Sequence, residues 1–239
     1  MPNELTVGGL PEREFLMEIE TLLRVGRAED AANRLKTLLD GLCGPGCPLP
    51  TRFLTVGPKD VRLTGWNELP ERIAEYDQRG KNITAIGIDF SSPRHCNRKP
   101  DENGLLDPHI ETNFYTDGDG WPFSISDRAG LLECYQKSRP KWLGAPGWQG
   151  MFEEIDDTIA VEGIADLYGA AFRLQGTQDP TMNQRPAGVL GACYAAVLVH
   201  LAVRDFAPRN VLPRPMAVIV GSNEDYPFFN APAFAAQGA

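Results

Sequence analysis

The apolar segment between residues 187 and 206 constrains the fold of this chain more than any other feature. Apolar residues fall on nearly every side of the helix that it predicts, and such a helix is stable only when other elements surround it. The longest apolar run, from Val189 to Val203, is too short to cross a bilayer and contains Tyr194 and His200. The sequence therefore predicts a central core helix.

Segments around this helix predict both strands and amphipathic helices. At residues 66–79 the apolar side chains recur at helical spacing, which predicts a helix with one buried stripe. Its stripe consists of Trp66, Leu69, Ile73 and Tyr76. A second amphipathic helix is expected from Trp148, and strands are expected at 52–56, 83–90, 109–116 and 216–220. This mixture predicts an α+β fold with a mixed or antiparallel sheet and packed helices.

Residues 11–42 predict an N-terminal helical hairpin. Pro11 suits a first helical position, Glu12 and Glu14 suit the positive end of the helix dipole, and Gly26 interrupts the apolar pattern. The Gly- and Pro-rich segment that starts at Cys43 is the best candidate for a boundary. We expect the hairpin to comprise residues 1–48 and to dock on an α+β domain at residues 49–239.

Two landmarks occur twice in the same order and suggest an internal duplication of a helix-strand-strand unit. They are Gly-Trp at 65–66 and 147–148, and aromatic-Pro-Phe at 121–123 and 226–228. The related halves would be residues 49–140 and 141–239. Two observations weaken the hypothesis: all amphipathic helices share such stripes, and 164–174 looks more helical than its counterpart at 83–90.

The predicted strand at 109–116 carries the densest polar chemistry in the chain. Alternation places polar residues on one face, namely His109, Glu111, Asn113, Tyr115 and Asp117. If this strand pairs with the strand at 83–90, Asp89 joins His109 and Glu111 in a set suited to a divalent metal. These three residues are the catalytic and metal-binding candidates. The alternative is that this face is simply the solvated side of an antiparallel sheet.

Asp117-Gly-Asp119-Gly120 resembles the start of a calcium-binding loop. An EF-hand loop starting at Asp117 requires a bidentate Glu at its last position, where this chain has Arg128. We therefore interpret Asp117 and Asp119 as an acidic turn that leads to Trp121. Together with Asn113 and Tyr115, these three residues are candidates for binding.

The acidic run at 153–157 suggests a protein partner. On the helix expected from Trp148, four acids would face away from the apolar stripe, namely Glu153, Glu154, Asp156 and Asp157. Such a surface attracts a basic protein through charge that salt screens. The net charge of −9 and the pI near 4.9 argue against a nucleic-acid partner.

The remaining motifs narrow the functional classes. The N-terminal residues lack a secretory signal pattern, so we expect a cytoplasmic protein without a membrane partner. Phosphate-binding glycine motifs are missing from the sequence, so no cofactor is predicted apart from a divalent metal. Cys193 and His200 are seven residues apart, about 10.5 Å along a helix, and are expected to be core residues rather than a catalytic dyad.

The spacing of Cys43 and Cys47 is one residue longer than a thioredoxin-type pair. Loop thiols are the simplest interpretation, with a zinc site that includes His95 and Cys96 as the alternative. The sequence as a whole favours a non-enzymatic, protein-binding or regulatory protein with an acidic interaction face. The alternative is a metal-dependent hydrolase that uses a carboxylate as general base, with the candidate residues Asp89, His109, Glu111, Asp117 and Asp119.

Overall fold

The computed structural model describes residues 5–91, 109–116, 151–156, 158–175, 184–210, 212–214, 217–222 and 231–235. The helices are α1 Glu12–Arg24, α2 Ala28–Leu39, α3 Arg52–Thr55, α4 Leu69–Gln78, α5 Ala165–Gln175 and α6 Gln184–Phe206. The strands are β1 Thr6–Val7, β2 Leu10–Pro11, β3 Arg62–Thr64, β4 Ile83–Ser91, β5 His109–Thr116, β6 Met151–Asp156, β7 Ala160–Glu162, β8 Ala217–Ser222 and β9 Ala231–Ala235. Short 3-10 turns occur at Asp40–Leu42, Pro58–Asp60, Trp66–Glu68 and Ala207–Arg209.

A mixed five-stranded sheet forms the centre of the described structure. Its strand order is β6-β5-β4-β8-β9. Strands β4 and β8 are parallel to each other, and the other neighbouring strands are antiparallel. Helices pack on this sheet, so the predicted α+β fold with a mixed sheet is confirmed.

Helix α6 is the core helix that the sequence predicts. Its residues from Val197 to Val203 are all at most 9% exposed. Gly191 lets α6 approach its neighbours closely, because a Cβ atom there would lie 2.8 Å from the Ala171 Cβ and 3.1 Å from the Phe53 ring. The stretch Gln184–Arg209 is long and apolar enough to cross a membrane, but 83% of its most apolar window is buried inside the molecule. Core helices of globular proteins share these properties.

The N-terminal helical hairpin is present as α1 and α2. Ion pairs tie it together and to α6: the Arg34 guanidinium lies 2.9 Å from Glu18, and that of Arg204 lies 2.7 Å from Glu29. The buried face of α2, which includes Leu35, joins the same hydrophobic cluster as α6 and the sheet. The division into regions 1–48 and 49–239 stays a prediction.

Two sequence predictions of secondary structure are wrong. Residues 52–56 were expected to be a strand, but Arg52–Thr55 form the single turn of helix α3, which buries Phe53 completely, and only Val56 is extended. The turn starts with hydrogen bonds from the Phe53 and Leu54 amides to the carbonyls of Pro50 and Thr51. A run of five residues contains too little periodicity to distinguish one helical turn from a strand.

The helix expected from Trp148 is also wrong, because residues 151–156 form strand β6. Phe152 is the register partner of Phe114, and Asp156 is that of Thr112. Pairing with β5 thus overrides the helical spacing of Met151 and Ile155, and charged residues are well tolerated on a strand at the end of a sheet. The acidic residues Glu153, Glu154 and Asp156 therefore do not form one helical face.

This correction removes the alignment on which the predicted duplication depended, because Trp66 precedes helix α4 whereas the segment after Trp148 is a strand. The aromatic-Pro-Phe landmarks lie outside the described residues. A duplication of residues 49–140 and 141–239 remains a prediction.

A different local arrangement does occur twice. Strands β3 and β7 pair with each other, and each is followed by a glycine with positive φ and then by a helix. A Cβ atom on Gly65 would lie 1.7 Å from the carbonyl oxygen of Thr158, and one on Gly163 would lie 2.1 Å from that of Asp60. Only glycine fits at either position, because the left-handed backbone and the close carbonyl both exclude a side chain.

Candidate functional site: the polar end of the central sheet

The strand pairing on which the metal hypothesis depends is present. Strands β4 and β5 are antiparallel, with Asp89 opposite Glu111 and Ser91 opposite His109. The side chains of Asp89, His109 and Glu111 are outside the described set, so their positions are known from the backbone. The three candidate residues therefore occupy neighbouring register positions at one end of the sheet.

Strand β8 brings two further residues to this end. It runs parallel to β4 on the side away from β5, with Gly221 opposite Asp89 and Ser222 opposite Phe90. A row of register partners thus crosses three strands as Glu111, Asp89 and Gly221. Sequence reasoning missed Gly221 and Ser222; the available signal was their position directly after an apolar strand. Ser222 shares the register row of Phe90 and so belongs to the other face of the sheet. We call Asp89, His109, Glu111 and Gly221 the polar sheet end.

The side of the sheet toward the helices is held by apolar packing. Ile86, Ile88, Phe114, Val218 and Val220 are all fully buried in the hydrophobic cluster. The ring of Tyr76 in α4 lies 4.8 Å from that of Phe114, centroid to centroid. These contacts fix the register of the three strands that carry the polar sheet end.

A buried hydroxyl adds a polar anchor next to this packing. The Thr112 side chain is fully buried, and its oxygen accepts a hydrogen bond of 2.9 Å from the Ile159 amide. Thr112 is also the register partner of Ile88. The anchor therefore connects β5 to the segment before β7 without any exposed group.

Asn113 departs from the expectation of a solvated face. It is only 2% exposed, and Ile219, which belongs to the same register row, is fully buried. The interpretation of this face as the water-facing side of the sheet is therefore wrong at Asn113. Its register partner Gly87 lacks a side chain, which leaves room beside the amide, and Asn113 makes a polar interaction in the fold.

The other predicted binding residues are dispersed. Tyr115 is the register partner of Ala85, and its side chain is outside the described set. Glu153, Glu154 and Asp156 lie on β6. Asp117, Asp119, Trp121 and Asp157 lie outside the described residues, as do His95 and Cys96. Among the described side chains, no group of three His, Cys, Asp or Glu residues is arranged to hold a metal ion.

The prediction of Cys193 and His200 as core residues is confirmed. They are 6% and 3% exposed, respectively. Burial, assisted by the Arg204 charge and opposed by Glu29, lowers the pKa of His200 to about 3. Within the described part of the chain, the buried His200 Nδ1 has no hydrogen-bond partner. His200 is therefore a neutral core histidine at physiological pH.

Comparisons of the chain with protein-family models, with curated proteins and with solved structures give no match.

Proposed function

We propose that the polar sheet end binds a divalent cation that assists a hydrolytic reaction. The observation that carries this proposal is the register pairing of Asp89 with Glu111. Directly opposite residues of an antiparallel pair have Cα atoms only about 4.5–5.5 Å apart. Like charges on directly opposite residues repel each other, and a proton or a cation between the two carboxylates would relieve that repulsion. His109, two residues before Glu111, would supply a nitrogen ligand.

The composition of the polar sheet end favours particular ions. Carboxylate oxygens suit Mg²⁺, Mn²⁺ and Ca²⁺, and an additional imidazole nitrogen favours Mn²⁺ or Zn²⁺. Gly221 beside Asp89 contributes no side chain, so it would leave space for an ion or a substrate group.

A cation bound here would supply two functions of a hydrolase. It would polarise a carbonyl or phosphoryl oxygen, and it would lower the pKa of a bound water molecule. One of the two carboxylates would then accept a proton from that water. The fixed strands β4, β5 and β8 would keep these groups at constant separation.

The test is metal-dependent hydrolysis by the full-length protein. A panel of phosphate esters, carboxylic esters and peptides is assayed with Mn²⁺ and with a chelator. We expect one substrate class to be cleaved, activity to disappear with chelator and return with Mn²⁺, and Asp89→Asn to abolish it. Glu71→Gln, which changes an exposed acid of α4, serves as the matched control. Activity that survives chelation or Asp89→Asn would exclude this reaction mechanism.

A second candidate function, binding of a basic protein, is supported by the position of β6. This strand lies at one end of the sheet order and carries Glu153, Glu154 and Asp156. The opposite end strand, β9, contacts helices α1 and α6. An extended basic segment of a partner would add to β6 as a further strand and pair its charges with these acids.

This candidate is tested with an extended Lys-rich peptide and fluorescence anisotropy. We expect binding at low salt, loss of binding at high salt, and loss in the triple variant Glu153→Gln, Glu154→Gln, Asp156→Asn. The control is Glu68→Gln with Glu71→Gln, which removes exposed acids near the start of α4. Equal affinity of the triple variant and the control would rule out β6 as the binding strand.

A further inference from the structure

The loop from Cys43 to Cys47 is folded into a compact, anchored turn. The Cys47 amide donates a hydrogen bond of 3.0 Å to the Gly44 carbonyl, which closes a β-turn. Gly44 and Gly46 have φ values of 136° and 78°, a backbone region that favours glycine. The turn therefore depends on glycine at both positions.

Hydrogen bonds on either side fix the ends of this turn. The Gly44 amide donates to the Leu49 carbonyl at 3.0 Å, and the Leu49 amide donates to the Leu42 carbonyl at 3.1 Å. Cys43 and Leu49 are thereby bridge partners. Cys43 stands just before the turn and Cys47 at its end, so the backbone holds the two cysteines close together.

The two thiols differ in exposure, and they interact electrostatically. Both are free; Cys43 is buried at 9% exposure within the hydrophobic cluster, whereas Cys47 is exposed. Burial raises the pKa of the Cys43 thiol to about 11, with smaller contributions from the charges of Cys47 and Asp40. An exposed thiol next to a buried one is a usual arrangement for a redox pair, because the exposed sulfur reacts first and the buried sulfur resolves it.

We propose that Cys43 and Cys47 form a reversible disulfide that closes the turn at the end of the N-terminal hairpin. The oxidant is a small-molecule disulfide such as oxidised glutathione. The Cys47 thiolate attacks one glutathione sulfur, forms an S–S bond and expels one glutathione thiolate. The Cys43 thiol then loses its proton to solvent, and its thiolate attacks the Cys47 sulfur and expels the second glutathione. Two protein thiols are oxidised, and one glutathione disulfide is reduced.

The experiment uses the full-length protein in glutathione buffers of increasing oxidised fraction. Samples are quenched in acid, alkylated under denaturing conditions and digested with trypsin. Cleavage after Lys36 and Arg52 places both cysteines in one peptide, Thr37–Arg52, without any other cysteine. We expect this peptide to change from a doubly alkylated form to an unalkylated disulfide form, which is two hydrogens lighter than the unmodified dithiol peptide. Dithiothreitol should reverse the change. A peptide that stays doubly alkylated, or that accumulates a glutathione adduct on Cys47, would overturn the proposal.

Glycine variants test whether the turn geometry causes the reaction. Gly44→Ala strains a backbone of φ 136°, whereas Gly41→Ala places a methyl group in open space at ordinary φ. We expect Gly44→Ala to reduce the fraction of disulfide at a given glutathione ratio at least several-fold, and Gly41→Ala to leave it unchanged. Equal oxidation of both variants would show that the turn does not promote the bond. The wild-type peptide map remains decisive if a variant fails to fold.

Discussion

His200 makes the stability of this protein depend on pH in a way that one substitution should remove. The imidazole is 3% exposed on the core helix α6, and burial lowers its pKa from 6.5 to about 3. In the unfolded chain the histidine takes up a proton below about pH 6.5, whereas the folded protein resists protonation until about pH 3. Its neutral form therefore stabilises the fold fully above pH 6.5, and that stabilisation is lost as the pH falls.

The size of the effect follows from this pKa difference. Each pH unit between the two pKa values costs about 1.36 kcal/mol. At about pH 4.5 the fold should have lost roughly 2.5–3 kcal/mol of unfolding free energy through His200 alone. Glu29, whose pKa is lowered chiefly by its hydrogen bond with Arg204, loses stabilisation in the same direction at acidic pH. The contribution of His200 must therefore be obtained by comparing the wild type with a variant that lacks the imidazole.

The assay is urea unfolding near pH 7.5 and near pH 4.5 for the wild type and for His200→Leu. We expect the variant to lose roughly 2.5–3 kcal/mol less than the wild type between the two conditions. Tyr194→Phe is the matched control, because Tyr194 lies in the same helix α6 as His200. The substitution removes the 3.0 Å hydrogen bond from the Tyr194 hydroxyl to the Val56 carbonyl. Its cost, about 1 kcal/mol, should be equal at both pH values. An unchanged pH dependence in His200→Leu would refute this account of the buried imidazole.

Substitutions at Gly65 and at Arg214 test two further contacts of the fold, each with its own comparison variant. Gly65→Ala should destabilise the protein by more than about 2 kcal/mol in urea unfolding, because its Cβ would collide with the Thr158 carbonyl. Gly26→Ala, with a similar φ of 77° but open space around it, should cost only about 1 kcal/mol, and equal costs would contradict the collision. Arg214→Ala should lower the urea midpoint by breaking the two-pronged bond to Asp77, of 2.8 and 2.9 Å. Adding Asp77→Asn to that variant should then cause little further change, and an additive loss would show that the two side chains act independently.

Most of the secondary structure that was predicted correctly lies in long segments with a regular spacing of apolar residues. Helix α6 was predictable because its apolar residues cover nearly the whole circumference over many turns. The strands β4 and β5 were predictable because their side chains alternate or are dense in β-branched residues. Residues 52–56 were predicted wrongly because so short a run contains too little periodicity to distinguish a helical turn from a strand. The segment after Trp148 was predicted wrongly because residues 151–156 pair with β5, which is distant in the sequence.

The candidate site was predictable only in part, for the same reason. Alternation within one strand grouped His109 with Glu111, and pairing with the nearest strand along the chain then brought in Asp89. Gly221 could not be included, because no local pattern reveals that β8 runs parallel to β4 as its other neighbour. The burial of Asn113 was also unpredictable, since alternation indicates which residues share a face but not what covers it.

Calorimetric titration of Mn²⁺ into the metal-free, full-length protein tests the proposed cation site most directly. We expect one equivalent of Mn²⁺ to bind the wild type and Glu71→Gln with equal affinity. Removal of one charged ligand in Asp89→Asn or Glu111→Gln should weaken binding roughly 10- to 100-fold, the equivalent of about 1.5–3 kcal/mol. No heat of binding in the wild type, or equal binding by all four proteins, would contradict a cation site at the polar sheet end.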